Sequence, residues 1–339
     1  MKKHKVALIG LGMAIRPHVE SLLELKDRVE VVAAYTPSEK RREQFAAAYP
    51  FPVTDSLSSI FSDESIDSVF ILTPPWTHED LTRQAANAGK HVLMEKPLDV
   101  NFERAKAQVE FCEQKKVTLG CVVQHRFRPS SLQLKPLLQK GALGQIFSAS
   151  ATIPWWRAQD YFDQPGRGMY ERDGGGVLLT QAVHTLDLLL HLMGDVPQSV
   201  FSLVNNSGLR SIDTEDLVAG VVRWRNGASG VIDATTLAYP GYAEQIKIVG
   251  SLGTAILDTD SLSVSLKDGS EIKHQGVAGG SSNDPMAFSH TYHRALIEEF
   301  LDAIDESREP MNSGRSALRV HRLIDALILS SKNRAEVDL

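Results

Sequence analysis

The sequence predicts an α/β fold: an N-terminal doubly wound parallel sheet, then an α+β domain built on a large, mainly antiparallel open sheet. Three observations carry this. Over the first third of the chain, short continuously apolar runs alternate with segments of helical spacing, as expected of strands covered on both faces. The first run ends in Gly10-Leu11-Gly12 and opens straight into a helix. From about Gly144 the texture changes to alternating β-rich runs punctuated by tight-turn dipeptides.

Element by element, residues 6–9 form an apolar run closed by glycine, and 13–26 carry helical spacing. A second strand is expected at 29–34 and a second helix at 38–49, with Ser38 as its cap. Strand 68–72, helix 77–88 capped by Thr77, strand 91–94, helix 101–115 and strand 117–123 complete the alternation. Arg128-Pro129 marks passage into the second part, so the domains are placed at 1–123 and 124–339. There, 176–193 reads as an apolar helix stopped by Gly194. Runs 217–224 and 228–236 flank Asn226-Gly227, the signal of a two-residue hairpin turn. Strands follow at 244–250, 254–258 and 262–266, with Asp268-Gly269 as another turn. Gly279-Gly280-Ser281-Ser282 reads as a mobile loop, and helices at 290–304 and 315–331 close the chain.

Bulk properties exclude several classes. A chain of 339 residues supports two cores, and 42% hydrophobic with 23% charged residues is ordinary for a globular protein. A formal net charge of -6 gives no case for nucleic acid, and Lys40-Arg41-Arg42 is too short a basic footprint. Two cysteines, Cys112 and Cys121, make neither a disulfide framework nor a four-thiolate site; a reducing cytoplasm fits them best. The basic start followed by an apolar run imitates a signal peptide. Gly10 and Gly12 interrupt it, however, and no small-residue cleavage site precedes Arg16-Pro17-His18. No uninterrupted apolar stretch reaches membrane-spanning length; even 186–193 carries Asp187 and His191.

The chemistry-bearing residues cluster at strand ends, where ligands sit in open parallel sheets. Gly10 permits a tight turn, and Gly12 lets backbone approach a pyrophosphate resting on the helix that opens at Met13-Ala14. Ile15 stands where the full dinucleotide motif has glycine or alanine. The second strand ends Tyr35-Thr36-Pro37-Ser38-Glu39-Lys40-Arg41-Arg42, without the carboxylate an NAD site usually carries. Hydroxyls of Thr36 and Ser38 with the guanidinium of Arg41 or Arg42 would suit a 2′-phosphate, so NADP is expected ahead of NAD. Ser38 as a plain cap with a solvated basic face is the other reading, and the two are compatible. Thr73-Pro74-Pro75, followed by His78, forms a rigid loop suited to pass beneath a planar ring. Glu95-Lys96-Pro97 follows a strand, and the proline blocks helix continuation, which holds the Lys96 ammonium at the strand end.

These residues, with Gly89-Lys90-His91 before the Glu-Lys-Pro stretch and Gly174-Gly175-Gly176 leading to His184 and Asp187, resemble the Gfo/Idh/MocA family over nearly the whole chain. The resemblance implies an N-terminal Rossmann domain, a C-terminal domain whose sheet supports homodimers or homotetramers, and sugar, sugar-derivative or cyclitol substrates. It implies catalytic roles for Lys96 and His184. Glu95 and Lys96 would line the nicotinamide, with Gln124 completing the cofactor set. Many members carry an aspartate four residues before the histidine; here that position is Thr180, which at this spacing on a helix shares a face with His184. Asp187, one turn later, could orient the ring or serve packing.

For the substrate, Trp155, Arg157, Tyr161 and Arg167 offer aromatic faces and paired donors to a polyhydroxylated ring, and Gln181 both donates and accepts. Arg126 leaves the last strand of the first part toward the same end. His125 and His184 show no metal-ligand spacing, so no metal is expected. The leading reading is an NAD(P)-dependent dehydrogenase or reductase acting on CH–OH groups. A lyase or glycoside-cleaving enzyme with transient internal redox, and a non-catalytic nucleotide-binding sensor, are the alternatives. No nucleic-acid or membrane partner is expected.

Overall fold

A computed structural model describes residues 3–164, 167–276 and 289–339. The chain divides into two compact units. One runs to Val122 and includes Ser289–Leu318; the other starts at Val123 and includes Arg319–Leu339. The glycine-serine run at 279–282 lies outside the described residues.

The first unit opens with β1 (His4–Ile9), α1 (Ile15–Glu24), β2 (Val29–Tyr35), α2 (Glu39–Ala48), β3 (Val53–Thr54) and α3 (Leu57–Ser62). It continues with β4 (Ser68–Ile71), α4 (His78–Asn87), β5 (His91–Met94), α5 (Phe102–Lys115) and β6 (Leu119–Cys121). The six strands pair in parallel in the order β3-β2-β1-β4-β5-β6. Strand order therefore reverses between β1 and β4, the switch point at which open sheets bind ligands. Every residue of β4 is buried, which explains its unbroken apolar character. Local chemistry sets the helix starts: Ser38, Ser56 and Asn101 each accept a backbone N–H as cap. Thr77 does not cap α4. Its hydroxyl donates to Pro74 O at 2.8 Å and pairs with Thr73 Oγ1 at 2.6 Å, inside the three-residue turn that precedes the helix.

The second unit follows with α6 (Pro129–Gln139), β7 (Ile146–Pro154), α7 (Gln159–Phe162), α8 (Tyr170–Asp173) and α9 (Val183–Met193). Then come β8 (Pro197–Asn205), β9 (Leu217–Trp224), β10 (Ser229–Thr235), β11 (Gln245–Gly250), β12 (Gly253–Asp258), β13 (Ser261–Leu266) and β14 (Glu271–His274). The chain ends in α10 (Thr291–Asp305), α11 (Gly314–Asn333) and β15 (Val337–Asp338). Nine strands form one sheet, ordered β14-β13-β12-β11-β7-β10-β9-β8-β15, antiparallel except for β7 beside β10. The β9–β10 hairpin turns through Gly227 at φ 84, the left-handed geometry that Asn-Gly predicts. One face of the sheet is buried beneath α9 and the later part of α11, through Leu186, Leu189, Leu323 and Leu327. By length and composition Tyr170–Met193 could cross a membrane, but it is mostly buried in this core.

The placement of everything after residue 123 in one domain is corrected for α10 and the start of α11. Asn312 exchanges backbone and side-chain hydrogen bonds with Cys121 (2.7 and 3.0 Å). Arg28 binds Asp302 at 2.6 Å, and a Cβ on Gly120 would meet Phe300 at 2.8 Å. This segment closes the core of the first unit.

Candidate functional site

At the switch point, Gly10 has φ 104, and an added Cβ would strike Leu72 and Thr73 at 2.8 Å. Only glycine lets the end of β1 lie this close to the end of β4. Around Gly12 an added Cβ would meet nothing within 4 Å among the described residues. The helix that opens here, α1, has no side-chain cap, unlike α2, α3 and α5, and no acidic residue in its first turn, unlike α2 and α5. Met13 is exposed and Ala14 half-buried beside this opening. A bare helix N-terminus behind a glycine turn presents N–H groups and positive dipole to an anion, so the residues fit a dinucleotide pyrophosphate.

Lys96 follows β5, with its backbone N–H donating to Glu95 Oε2 at 3.0 Å. Glu95 Oε1 meets His18 Nε2 from α1 at 2.7 Å, and the His293 ring from α10 packs edge-on to His18 at 5.1 Å. Burial works to raise the Glu95 carboxyl, but the His18 hydrogen bond, with His293 and Lys96 nearby, holds it below its ordinary value. Burial drives His293 down to about 3. Donor atoms of the three lie within 4.8 Å of one another, close enough to share an ion. Among the described residues His18 Nδ1 has no partner of the kind that orients a metal-bound imidazole, so hydrogen bonding is the better account of the group. Sequence spacing gave no sign of this triad, whose members come from three separate elements.

Thr73, Pro74 and Pro75 lie at the end of β4 as expected. His78, assigned to the cofactor, is wholly buried instead, and its ring is turned to backbone carbonyls of Thr73, Pro97 and Leu98.

In the second unit the triple glycine has a structural cause. A Cβ on Gly176 would sit 1.8 Å from Glu215 O. Glu215, buried, accepts Gly176 N–H at 2.8 Å and Leu178 N–H at 3.1 Å, and its backbone oxygen takes Val177 N–H at 2.9 Å. It does for the helix start what a cap does, from across the fold. Burial raises its carboxyl despite those donors, and burial, with Glu215 beside it, pushes the Tyr170 phenol up to about 12. Glu215 went unnoticed in the sequence; an acid 39 residues from its partners leaves no local signal.

Residues Leu178–Ala182 form a π-turn rather than regular helix, a distortion common at functional sites. Within it Thr180 Oγ1 serves Gly176 O at 2.7 Å and the Gln181 side-chain oxygen. His184, at the start of α9, stacks on His125 with ring centroids 4.7 Å apart and planes 26° apart. His125 Nε2 lies 2.7 Å from Arg128 Nη2, and Arg128 in turn binds Glu244 at 2.9 Å and Thr259 O at 2.8 Å.

Arg126, expected at the substrate, instead forms a two-point pair with Asp187 (2.7 and 2.5 Å), both side chains buried. Asp187 therefore anchors Arg126. The rest of the expected substrate set does gather. Arg167 lies over Tyr161 at 4.1 Å, Arg157 over Trp155 at 5.1 Å and Tyr161 at 5.5 Å, and Gln181 Nε2 donates to Tyr161 Oη at 3.2 Å. Gln124, at the start of this unit, has a buried side-chain oxygen without a partner among the described residues.

A six-stranded parallel sheet with a glycine-opened, uncapped helix at its switch point defines a dinucleotide-binding Rossmann fold. Residues 4–124 match the oxidoreductase family with NAD-binding Rossmann fold, and 131–256 match the Gfo/Idh/MocA C-terminal domain. The chain belongs to the Gfo/Idh/MocA oxidoreductase family. It is 25% identical to inositol 2-dehydrogenase of Rhizobium meliloti over 345 residues, covering 99% of each chain. It is 26% identical to myo-inositol 2-dehydrogenase of Thermotoga maritima over 324 residues, covering 91% of each. The WlbA dehydrogenase of Bordetella pertussis, solved with NADH and UDP-GlcNAcA, superposes with a TM-score of 0.85 at 26% identity, covering 100% of this chain and 99% of that one.

The expectation of NADP over NAD is overturned: relatives use NAD, and the WlbA structure holds NADH. The physical reason lies after β2. Ser38 Oγ is occupied capping α2 through Arg41 N–H (3.4 Å). Arg42 donates to Thr36 O at 2.8 Å and faces Asp55 at 3.8 Å, while Arg41 is exposed. Of the groups read as 2′-phosphate ligands, Ser38 Oγ and the Arg42 guanidinium are engaged by the protein itself, and Thr36 is buried.

Proposed function

We propose that this chain is an NAD-dependent dehydrogenase of a sugar, sugar derivative or cyclitol, interconverting a secondary alcohol and its ketone. Bound NAD supplies the hydride acceptor and donor. In the oxidation direction His184 accepts the hydroxyl proton, and Lys96 hydrogen-bonds the same oxygen to stabilise its developing negative charge. Trp155, Arg157, Tyr161, Arg167 and Gln181 bind and orient the polyol. Gly10, Gly12, Met13 and Ala14 receive the pyrophosphate, with Thr73, Pro74, Pro75, Glu95 and Gln124 toward the nicotinamide. The observation that carries this reading is Lys96 held by its own neighbour's carboxylate at the end of β5.

Thr180 keeps no proton-transfer role in this scheme, since its hydroxyl serves the Gly176 carbonyl and Gln181. Two buried cysteines, Cys112 and Cys121, are too few for a disulfide framework, which supports a reducing, cytoplasmic setting. A homodimer or homotetramer through the nine-stranded sheet is supported by the apolar outer face of that sheet.

The test is a panel of inositols, sugars and sugar acids with NAD⁺, scored by NADH absorbance. One substrate should turn over with net NADH formation, and Lys96→Ala and His184→Ala should each lose about 10²–10⁴-fold in rate. Turnover of a substrate without net NADH would replace this reading with a transient-redox one, and full activity in His184→Ala would remove its proton-transfer role.

A further inference from the structure

We infer that His78 is a positioning residue: it pins the Thr73-Pro74-Pro75 loop to the turn after Lys96 by donating from both ring nitrogens at once. Its Nε2 faces Thr73 O at 2.8 Å, and its Nδ1 faces Pro97 O and Leu98 O, each at 3.1 Å. The first carbonyl belongs to the loop after β4, the others to the segment that follows Lys96 after β5. Two adjacent strand ends at the cofactor edge of the sheet are thus joined through one buried ring.

The protonation state follows from the acceptors. A carbonyl oxygen only accepts, and a neutral imidazole has a single N–H. With carbonyls at both nitrogens, a neutral ring would turn one lone pair against an oxygen lone pair in a buried place. The imidazolium satisfies both sides. Charged groups facing it agree in sign: Asp99 and Glu95 are both near enough to favour the cation. Asp99 is itself fixed by Arg104 Nε at 2.7 Å and by Gln108, and Glu95 by His18. Burial is the largest influence and holds His78 below the ordinary imidazole value, even against the Thr73 and Leu98 carbonyls and the two carboxylates; a neutral ring, however, would leave a lone pair facing a carbonyl with no proton between them. The two-sided acceptor geometry decides for the charged ring.

The consequence is mechanical. Lys96 is tied on one side by its own N–H to Glu95 and on the other by Pro97 O to His78, so both ends of the lysine turn are anchored. This rests on reading the two loops as the cofactor side of a dehydrogenase, a reading the first measurement below does not need.

The experiment is ¹⁵N NMR of the histidine rings in the full-length protein at neutral pH, with His78 assigned by its absence in His78→Gln. Both His78 nitrogens should show the protonated type of shift; one protonated and one unprotonated nitrogen would overturn the double-donor pin. Direct NAD⁺ titration is the second arm. His78→Gln keeps one donor but cannot reach both loops, and should bind NAD⁺ about tenfold or more weaker, with up to about 10²-fold lower turnover from a displaced Lys96. A His78→Gln protein that melts like wild type and binds NAD⁺ equally well would also overturn it. If wild type itself fails to bind NAD⁺ while both ring nitrogens are protonated, the cofactor reading falls and the pin stands.

Discussion

Asp187 lies one turn beyond His184, where a carboxylate could serve either the imidazole or the fold. Its two-point bond to Arg126, with both groups buried, assigns it to the fold. Removing one member of such a pair strands a charge in low dielectric, which costs about 3–5 kcal/mol, whereas replacing both with apolar groups is often neutral. Asp187→Ala should therefore lower the denaturant-derived stability by that amount, and Arg126→Met with Asp187→Leu should recover most of it. A single variant as stable as wild type would show that the pair contributes nothing. At this scale the sequence was legible where backbone geometry fixes identity, as for Gly10. It was not legible where a role depends on which way a side chain turns. Arg126 and His78 both sit in plausible positions and both face inward, and Glu215 acts on residues far from it in sequence.

Helix α1, like α4 and α6, starts without a side-chain cap, and its start is where the pyrophosphate is proposed to rest. Ala14 has helical dihedrals (φ -72, ψ -8), unlike the extended Ser38, Ser56 and Asn101, so an aspartate there would act on the positive end of the helix dipole rather than as a cap. Ala14→Asp should thus stabilise the fold by about 0.3–1 kcal/mol. The same carboxylate would stand where a pyrophosphate is proposed to rest, so NAD⁺ affinity should fall about tenfold or more, since each 1.4 kcal/mol of repulsion is a factor of ten. Thermal melts and NAD⁺ titration on the one variant check both. Gain in stability without loss of affinity would move the pyrophosphate elsewhere. Long strand–helix alternation was readable because buried parallel strands are apolar throughout. The short β3 and α3 were not, being two residues and one serine-rich turn and a half. Nor was the π-turn before α9, because an added residue in a helical turn changes no hydrophobic period that one sequence can display.

Over the whole molecule, the outer face of the nine-stranded sheet carries Phe147, Phe201, Leu203, Val221 and Val231, all 42–56% exposed on four neighbouring strands. Alternate residues on those strands are buried in the core, so the alternation that marks a solvated face here ends in apolar side chains. A second copy of the sheet would cover them, and light scattering at micromolar concentration should give a dimer or tetramer. Leu203→Lys with Val221→Lys should reduce the mass toward the monomer while leaving NAD⁺ binding in place. A monomeric wild type would reject the assembly. Two-part organisation was legible from the change of texture near Gly144. The return of Ser289–Leu318 to the first unit was not, because a helix shows its apolar stripe without naming the surface it covers.

That return bears on how the protein is made. A ribosome delivers β1 to β6 long before α10 exists, and until residue 318 has emerged the sheet lacks the Phe300 ring against Gly120 and the Asn312 bonds to Cys121. The nucleotide-binding half, though encoded first, is finished nearly last. The nascent chain must carry an unsealed apolar surface through most of translation, while all but the last strand of the other sheet is being synthesised behind it.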